Sequence, residues 1–83
     1  MKLLYFAWVR ERIGHEQEDF TPPAGVATVA DLIGHLSARD EAYAHAFENP
    51  RVIRAAIDRV HVKPEAPIAG AREIAFFPPM TGG

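Results

Sequence analysis

The two most apolar stretches of this chain lie near its opposite ends, at residues 3–9 and 73–77. Both are rich in aromatic and aliphatic residues and contain no Gly or Pro, which predicts β-strands. Because the most apolar strands of a mixed sheet take its central positions, we expect these two strands to lie side by side in one sheet. This pairing constrains the fold more than any other feature of the sequence.

The first apolar run predicts a single strand over residues 2–10. Successive side chains of a strand alternate between its two faces, so one set should meet the core and the other should form a stripe on the open side of the sheet. An apolar stripe on an open sheet face is either covered by a loop or docks a partner. The core set is Leu3, Tyr5, Ala7 and Val9, and the stripe is Leu4, Phe6 and Trp8.

The middle of the chain predicts one main helix, over residues 28–38. Thr28 is a suitable N-cap, and Asp31 stands three residues later, where a capping box has an acidic or amide side chain. Residues 41–47 predict a second, short helical segment that ends before Pro50. The main helix should lay one apolar stripe on the sheet, and its members are Val29, Leu32, Ile33 and Leu36.

Two further strands complete the pattern. Residues 16–21 form a polar, edge-like strand that can hairpin back on the first, and its acidic side chains Glu16, Glu18 and Asp19 are expected to be solvated. Residues 51–62 are rich in β-branched side chains and predict one strand with a bend or bulge around Asp58 and Arg59.

The order strand, strand, helix, strand, strand indicates an α+β domain with the β-grasp fold, in which a mixed sheet packs against one main helix. A chain of 83 residues can build only one core, so we expect a single domain. We place the domain at residues 1–77 and a flexible, extended C-terminal tail at residues 78–83.

Composition excludes several classes of function. The chain has no Cys, and its formal charge of −2 gives no basic patch for nucleic acid or anionic lipid. The first apolar run is far shorter than the roughly 20 residues of a membrane span, and no signal-peptide pattern follows it. The four His lack metal-ligand spacing, so we expect no metal, no permanently bound cofactor and a cytoplasmic location.

The candidate reactive group is at the end of the chain. The carboxylate of Gly83 is an oxygen nucleophile at neutral pH that needs no side chain. Gly82 and Gly83 lack Cβ atoms, so this backbone can enter a narrow channel, while Pro78 and Pro79 stiffen the start of the tail. These features favour insertion of the tail into the active site of another protein.

The closing stretch "AFFPPMTGG" closely resembles the end of the small, sulfur-carrying subunits of molybdopterin synthase, a ubiquitin-like family. "KLLYFAWVRERIG", "TVADLIGHL" and "RAAIDRVHV" stand where that family has its first strand, helix and third strand. The resemblance covers nearly the whole chain. One departure is the turn before the last strand, where the family has Gly-Asp-Glu and this chain has Ala71, Arg72 and Glu73.

The resemblance implies a carrier cycle and three partners. An ATP-dependent adenylyltransferase joins Gly83 to AMP, and a persulfide donor then converts it to a thiocarboxylate. The large synthase subunit takes the tail and uses the sulfur to turn cyclic pyranopterin monophosphate into molybdopterin, in an assembly of two small and two large subunits. The chain is then no enzyme on its own, and the residues that bind its partners are Phe76, Phe77, Pro78, Pro79, Met80, Thr81 and Gly82, with Leu4, Phe6 and Trp8.

Other functions stay open at this point. A sulfur carrier of thiamine synthesis and a ubiquitin-like protein modifier share the fold and the terminal chemistry, although Phe76 to Pro79 favour the molybdopterin branch. A non-catalytic β-grasp interaction module belongs to a different class, because it uses the sheet face and needs no reactive tail.

Overall fold

The computed structural model describes residues 1–79, which form one five-stranded sheet, three α-helices and a short 3₁₀ turn at Pro50–Val52. The strands are β1 (Lys2–Tyr5), β2 (Gln17–Asp19), β3 (Arg54–Ile57), β4 (Val60–Val62) and β5 (Glu73–Phe77). The helices are α1 (Ala7–Ile13), α2 (Val29–Arg39) and α3 (Glu41–Ala46).

The strand order is β2-β1-β5-β3-β4, so the last strand takes the centre of the sheet. It runs parallel to β1, with Tyr5 opposite Phe76, and antiparallel to β3, with Ala55 opposite Phe76. The predicted pairing of the first and last strands is therefore confirmed. With helices packed on this mixed sheet, the molecule has the predicted α+β, ubiquitin-like β-grasp fold.

The core lies between the inner sheet face and the helices. Leu3 and Tyr5 on β1 meet Ile74 and Phe76 on β5, because alternate residues of paired strands share a face. The stripe on α2 closes this layer, since its four members are all buried, as the helical spacing predicts: Val29, Leu32, Ile33 and Leu36.

The predicted start of α2 is also confirmed. The backbone N–H of Asp31 donates to the Thr28 Oγ1 at 3.1 Å, and the Thr28 N–H donates to the Asp31 Oδ2 at 3.1 Å. This capping box satisfies two backbone donors that the helix itself leaves unpaired. The second helical segment is confirmed as α3.

The prediction of a strand through residue 10 was wrong. β1 ends at Tyr5, and α1 begins at Ala7, which has a positive φ of 53°. The spacing of Val9 and Ile13 is helical, and both side chains are buried. Gly14 is the left-handed C-cap of this helix, and its N–H donates to the Arg10 carbonyl.

The prediction of one bent strand over residues 51–62 was also wrong. The chain forms the antiparallel hairpin β3–β4, with Ile57 opposite Val60. Asp58 and Arg59 have φ values of 48° and 70°, and positive φ at both central residues is the backbone of a type I′ turn. The sequence therefore located the change of chain direction at the correct residues, but the chain reverses completely there instead of bending.

Candidate functional site

The base of the predicted tail is fixed to the centre of the sheet. β5 ends at Phe77, and the half-buried Pro78 and Pro79 follow it directly. The carbonyl of Phe76 accepts a hydrogen bond from the Phe6 N–H at 3.1 Å, which ties this end of β5 to the start of α1. Proline has no N–H to continue the ladder, so the chain is released from the sheet here.

The predicted reactive residue, Gly83, and three predicted partner-binding residues before it lie outside the described residues. The predicted boundary after residue 77 coincides with the end of β5, but the predicted tail is described only as far as Pro79. The roles assigned to Met80, Thr81, Gly82 and Gly83 therefore stay predictions.

Phe76 belongs to the core, so its expected contact with a partner needs correction. Its side chain is 0% exposed, and its ring lies nearly parallel to that of Tyr5 and edge-on to that of Phe47. Strand alternation explains this position, because residues 74 and 76 share the inner face of β5. Phe76 anchors the base of the tail instead.

Phe77 points to the opposite side of the sheet and is half-buried. Its ring meets the ring of His61 on β4 edge-on, with centroids 5.1 Å apart. It lies opposite Arg54 in the ladder between β3 and β5. The last residue of the central strand is thus on the sheet face that α2 does not cover.

The strand register collects apolar residues at the centre of this uncovered face. Leu4 lies opposite Ala75, and Ala75 lies opposite Ala56, so all three share one row with Phe77 two residues beyond. Phe6 has extended backbone angles of −128° and 155°, which continue the alternation and put it on the side of Leu4. We call Leu4, Phe6, Ala56, Ala75 and Phe77 the open face.

The predicted stripe is therefore correct for two of its three residues. Leu4 and Phe6 do belong to the open face, and the Phe6 side chain is 46% exposed. Trp8 does not, because it lies in α1 and packs partly against the core. The guanidinium of Arg12 stands 4.5 Å from the Trp8 ring centroid, which is a cation–π contact.

A polar network that the sequence did not reveal lies below the tail base. The carboxylate of Glu18 on β2 accepts hydrogen bonds from the Tyr5 hydroxyl at 2.9 Å, from the Tyr43 hydroxyl and from the Arg39 guanidinium at 2.8 Å. Glu18 is thus a structural residue, and the prediction of a solvated side chain was wrong for it. Only long-range pairing brings these four residues together, so no local pattern signals them.

The network shifts the pKa values of its ionisable side chains. Burial opposes ionisation of Glu18, but the hydrogen bonds from Tyr43, Arg39 and Tyr5 outweigh it and hold the pKa of its carboxyl below the usual value. Burial, followed by the hydrogen bond to Glu18, raises the pKa of the Tyr5 hydroxyl. Each partner of this carboxylate keeps it ionised and engaged, so the network suits structural support better than proton transfer.

The match to known families decides which group of β-grasp proteins this is. The model of the ThiS family matches residues 3–83. The chain belongs to the ThiS family. The match includes both the described domain and the residues beyond Pro79.

Two curated relatives match this ThiS-family chain over its full length. The molybdopterin synthase sulfur carrier subunit of Escherichia coli (strain K12) is 36% identical over 83 residues, covering 100% of this chain and 99% of the relative. The subunit of the same name from Haemophilus influenzae is 33% identical over 87 residues, with the same coverage of both chains.

Solved structures support the fold of this family member. SAMP1 from Haloferax volcanii has a TM-score of 0.71 at 27% identity and covers 100% of this chain and 98% of its own. A putative molybdopterin converting factor, subunit 1, from Pyrococcus furiosus has a TM-score of 0.74 at 25% identity and covers 95% of both chains.

Two features are absent from the described part of this ThiS-family domain, residues 1–79. Residues 1–79 contain no group of three His, Cys, Asp or Glu side chains that can hold a metal ion. None of the three α-helices in this range reaches the length of a membrane span. What the geometry provides is an anchored strand end beside an apolar face, which suits the presentation of a chain end to another protein.

Proposed function

We propose that this chain is the sulfur-carrier subunit of a molybdopterin synthase and carries sulfur as a thiocarboxylate on Gly83. The full-length similarity to two sulfur carrier subunits of that name supports the assignment. The observation that carries it in the structure is the anchoring of β5. The Phe76 side chain is buried in the core, and Phe77 and Pro78 follow it beside the open face. The chain therefore leaves the sheet directly after a residue that is fixed in position.

The proposed cycle begins at the Gly83 carboxylate. An adenylyltransferase uses ATP to form the acyl adenylate, and pyrophosphate leaves. The terminal sulfur of a persulfide donor attacks the acyl carbon and displaces AMP, and a thiol then reduces the new sulfur–sulfur bond to leave the thiocarboxylate. This consumes ATP in the cytoplasm, and the donor ends as part of a disulfide.

The loaded chain then delivers its sulfur in the large synthase subunit. The thiocarboxylate donates sulfur to cyclic pyranopterin monophosphate, and water restores the carboxylate. Two such transfers build the dithiolene of molybdopterin, which fits an assembly of two small and two large subunits. The acid, base and anion-binding groups belong to the large subunit, and this chain acts as a group carrier.

The open face is the proposed docking surface for these partners. It presents Leu4, Phe6 and Phe77 within the same sheet region from which the tail leaves. A partner that covers this face therefore receives the tail in a defined direction, which lowers the entropic cost of placing the terminus.

Intact mass tests the proposal directly. The chain is incubated with the adenylyltransferase, ATP and a persulfide donor, and replacement of one oxygen by sulfur should add about 16 Da. Deletion of Gly82 and Gly83, or one extra residue after Gly83, should abolish the gain, whereas a non-catalytic interaction module keeps its binding after the deletion. An unchanged mass of the full chain under conditions that load a known carrier contradicts the proposal.

A protein modifier is the second candidate, because the structurally similar SAMP1 of Haloferax volcanii is named a small archaeal modifier protein. A modifier joins its terminal carboxyl to a lysine amine and loses water, so it appears in products heavier by the mass of a whole target protein. A thiamine-type carrier loads the same sulfur but does not convert cyclic pyranopterin monophosphate with the large subunit. Product analysis of the reconstituted reaction therefore separates the three carrier functions.

A further inference from the structure

A groove lies beside α2, between that helix and the 3₁₀ turn at Pro50–Val52. It consists of two adjoining depressions of about 330 and 260 Å³. Ile33, Pro50, Arg51 and Pro64 line both of them, so the two form one continuous feature. We call it the α2 groove, and its apolar lining includes Ala30, Ile33, Phe47, Pro50, Val62 and Pro64.

Gly34 keeps this groove open. It lies in the interior of α2 and is exposed, and a Cβ built there meets nothing within 4 Å. Glycine in a helix interior is less stable than alanine, and the contacts of residues 1–79 do not require it here. A larger side chain at this position would stand in the space of the first depression.

The rim of the groove is cationic. Arg51, Arg54 and Lys63 line it, and no acidic side chain does. The Arg54 guanidinium donates to the Arg51 carbonyl at 3.0 Å, which holds it over the turn. None of the three takes part in an ion pair within the described range 1–79, whose ion-paired bases are Arg12, Arg39, His45 and Arg59.

The charge of this rim is opposite in sign to the net charge of the whole chain. The chain has a formal net charge of −2, yet three cations without ionic partners in residues 1–79 surround one apolar groove. Complementary charge steers association and suppresses wrong partners. The groove therefore matches a segment that alternates apolar side chains with carboxylates.

We propose that the α2 groove docks an acidic, amphipathic segment of a partner protein. Its apolar side chains enter the two depressions, and its carboxylates pair with Arg51, Arg54 and Lys63. This docking goes beyond the proposed sulfur transfer, because α2 and the segments at 47–51 and 62–64 contribute no residue to the open face. Of the three rim cations, only Arg54 pairs with an open-face residue, Phe77.

A display library of random peptides, each about twelve residues long, tests the proposal with the full chain as target. Enriched peptides should combine Asp or Glu with Leu, Ile or Phe. In amide NMR spectra, a synthetic copy of the best peptide should shift residues of α2 and of the 3₁₀ turn.

Two variants and a control define the site. Gly34→Leu fills the groove and should weaken peptide binding at least about tenfold, while circular dichroism shows an intact fold. Arg51→Glu should weaken binding about tenfold, whereas Arg10→Glu, an equal charge change on exposed α1, should leave it unchanged. Sulfur loading of Gly83, measured in parallel, should be the same in all variants.

Several results overturn the proposal. Enrichment of peptides without acidic residues, or of no peptides at all, contradicts the charge argument. Binding that survives Gly34→Leu, or amide shifts on the open face, moves the site elsewhere. Dimerisation of the chain that Gly34→Leu abolishes shows instead that a second copy fills the groove.

Discussion

The ring of Phe76 lies nearly parallel to the ring of Tyr5, with centroids 6.2 Å apart and planes 15° apart. One residue comes from the last strand and the other from the first, and they are also direct partners in the parallel ladder. Tyr5 in turn donates its hydroxyl to Glu18. The base of the tail is therefore held by backbone pairing, ring contact and a charge-assisted hydrogen bond.

Phe76→Ala should destabilise the fold by about 3–5 kcal/mol, because it removes a fully buried aromatic ring from the centre of the core. Chemical denaturation with urea measures this loss. Phe77→Ala is the matched control, since its side chain is only half-buried on the other face, and about 1 kcal/mol is expected. Equal losses for both variants would contradict the assignment of the two faces.

The stability of the fold should decline in acid through Glu18. The folded-state pKa of its carboxyl is lowered, so its contribution is present above the ordinary glutamate pKa and is lost as pH falls through the folded value. Glu18→Gln should flatten this part of the stability curve and lower stability at pH 7 by about 1–2 kcal/mol. Urea denaturation from pH 7 to pH 3 measures both effects.

Glu16→Gln is the control for this experiment. It removes the same charge from an exposed neighbour that has no ion pair among residues 1–79. Its curve should follow that of the unaltered chain. If both variants flatten the curve equally, general charge and not the Tyr5–Glu18 network governs the acid response.

Arg59→Gly should stabilise the hairpin by about 0.5–1 kcal/mol, because Arg59 holds a φ of 70° that glycine adopts without strain. The ion pair it loses joins a 90% exposed side chain to Glu73 at 3.6 Å and contributes little. A higher thermal midpoint is the expected measurement.

Asp58→Gly relieves a similar strain but should still destabilise the fold. The Asp58 Oδ1 accepts hydrogen bonds from the N–H groups of Arg72 and Glu73, at 2.9 and 3.0 Å. Glycine removes this acceptor and leaves both donors to water. If Asp58→Gly raises the thermal midpoint as Arg59→Gly does, the structural role of Asp58 is refuted.

Phe77→Asp should weaken binding to the large synthase subunit at least about tenfold, because it puts a charge at the centre of the proposed contact. Calorimetric titration measures the affinity, and circular dichroism shows that the fold persists. Val60→Asp introduces the same charge at a 64% exposed position on the β4 edge and should bind normally. Normal binding of Phe77→Asp removes the open face from the proposed interface.

The parts of the fold that were predictable are those in which local pattern and tertiary environment agree. The spacing of Leu32 and Leu36 and the Thr28 cap describe α2 correctly, and the apolar content of residues 73–77 marks the central strand. The strand prediction failed at residues 6–9 because their aromatic and aliphatic side chains suit a strand as well as a helix. The helix there depends on the positive φ of Ala7, and an alanine in the sequence does not predict a positive φ.

The candidate site was predictable to a similar degree. Leu4 and Phe6 follow from strand alternation, which holds as far as Phe6, whereas Phe77 was expected at a partner contact only from the family resemblance. The burial of Phe76 also follows from alternation, but only once the inner face of β5 is known. The Glu18 network depends on side-chain contacts across sequence separations of 13 positions (to Tyr5) and 25 positions (to Tyr43). Patterns in a single sequence cannot anticipate such contacts.

The central position of β5 has a consequence for the making of the protein. During synthesis, β1 leaves the ribosome first, yet its parallel neighbour is the last strand of the fold to be translated. A nascent chain that stops short of residue 77 has a gap in the middle of its sheet and exposes the strand edges on both sides of it. Incomplete translation products should therefore be open to proteolysis, and folded molecules should be those whose synthesis has passed Phe77, the residue directly before the tail.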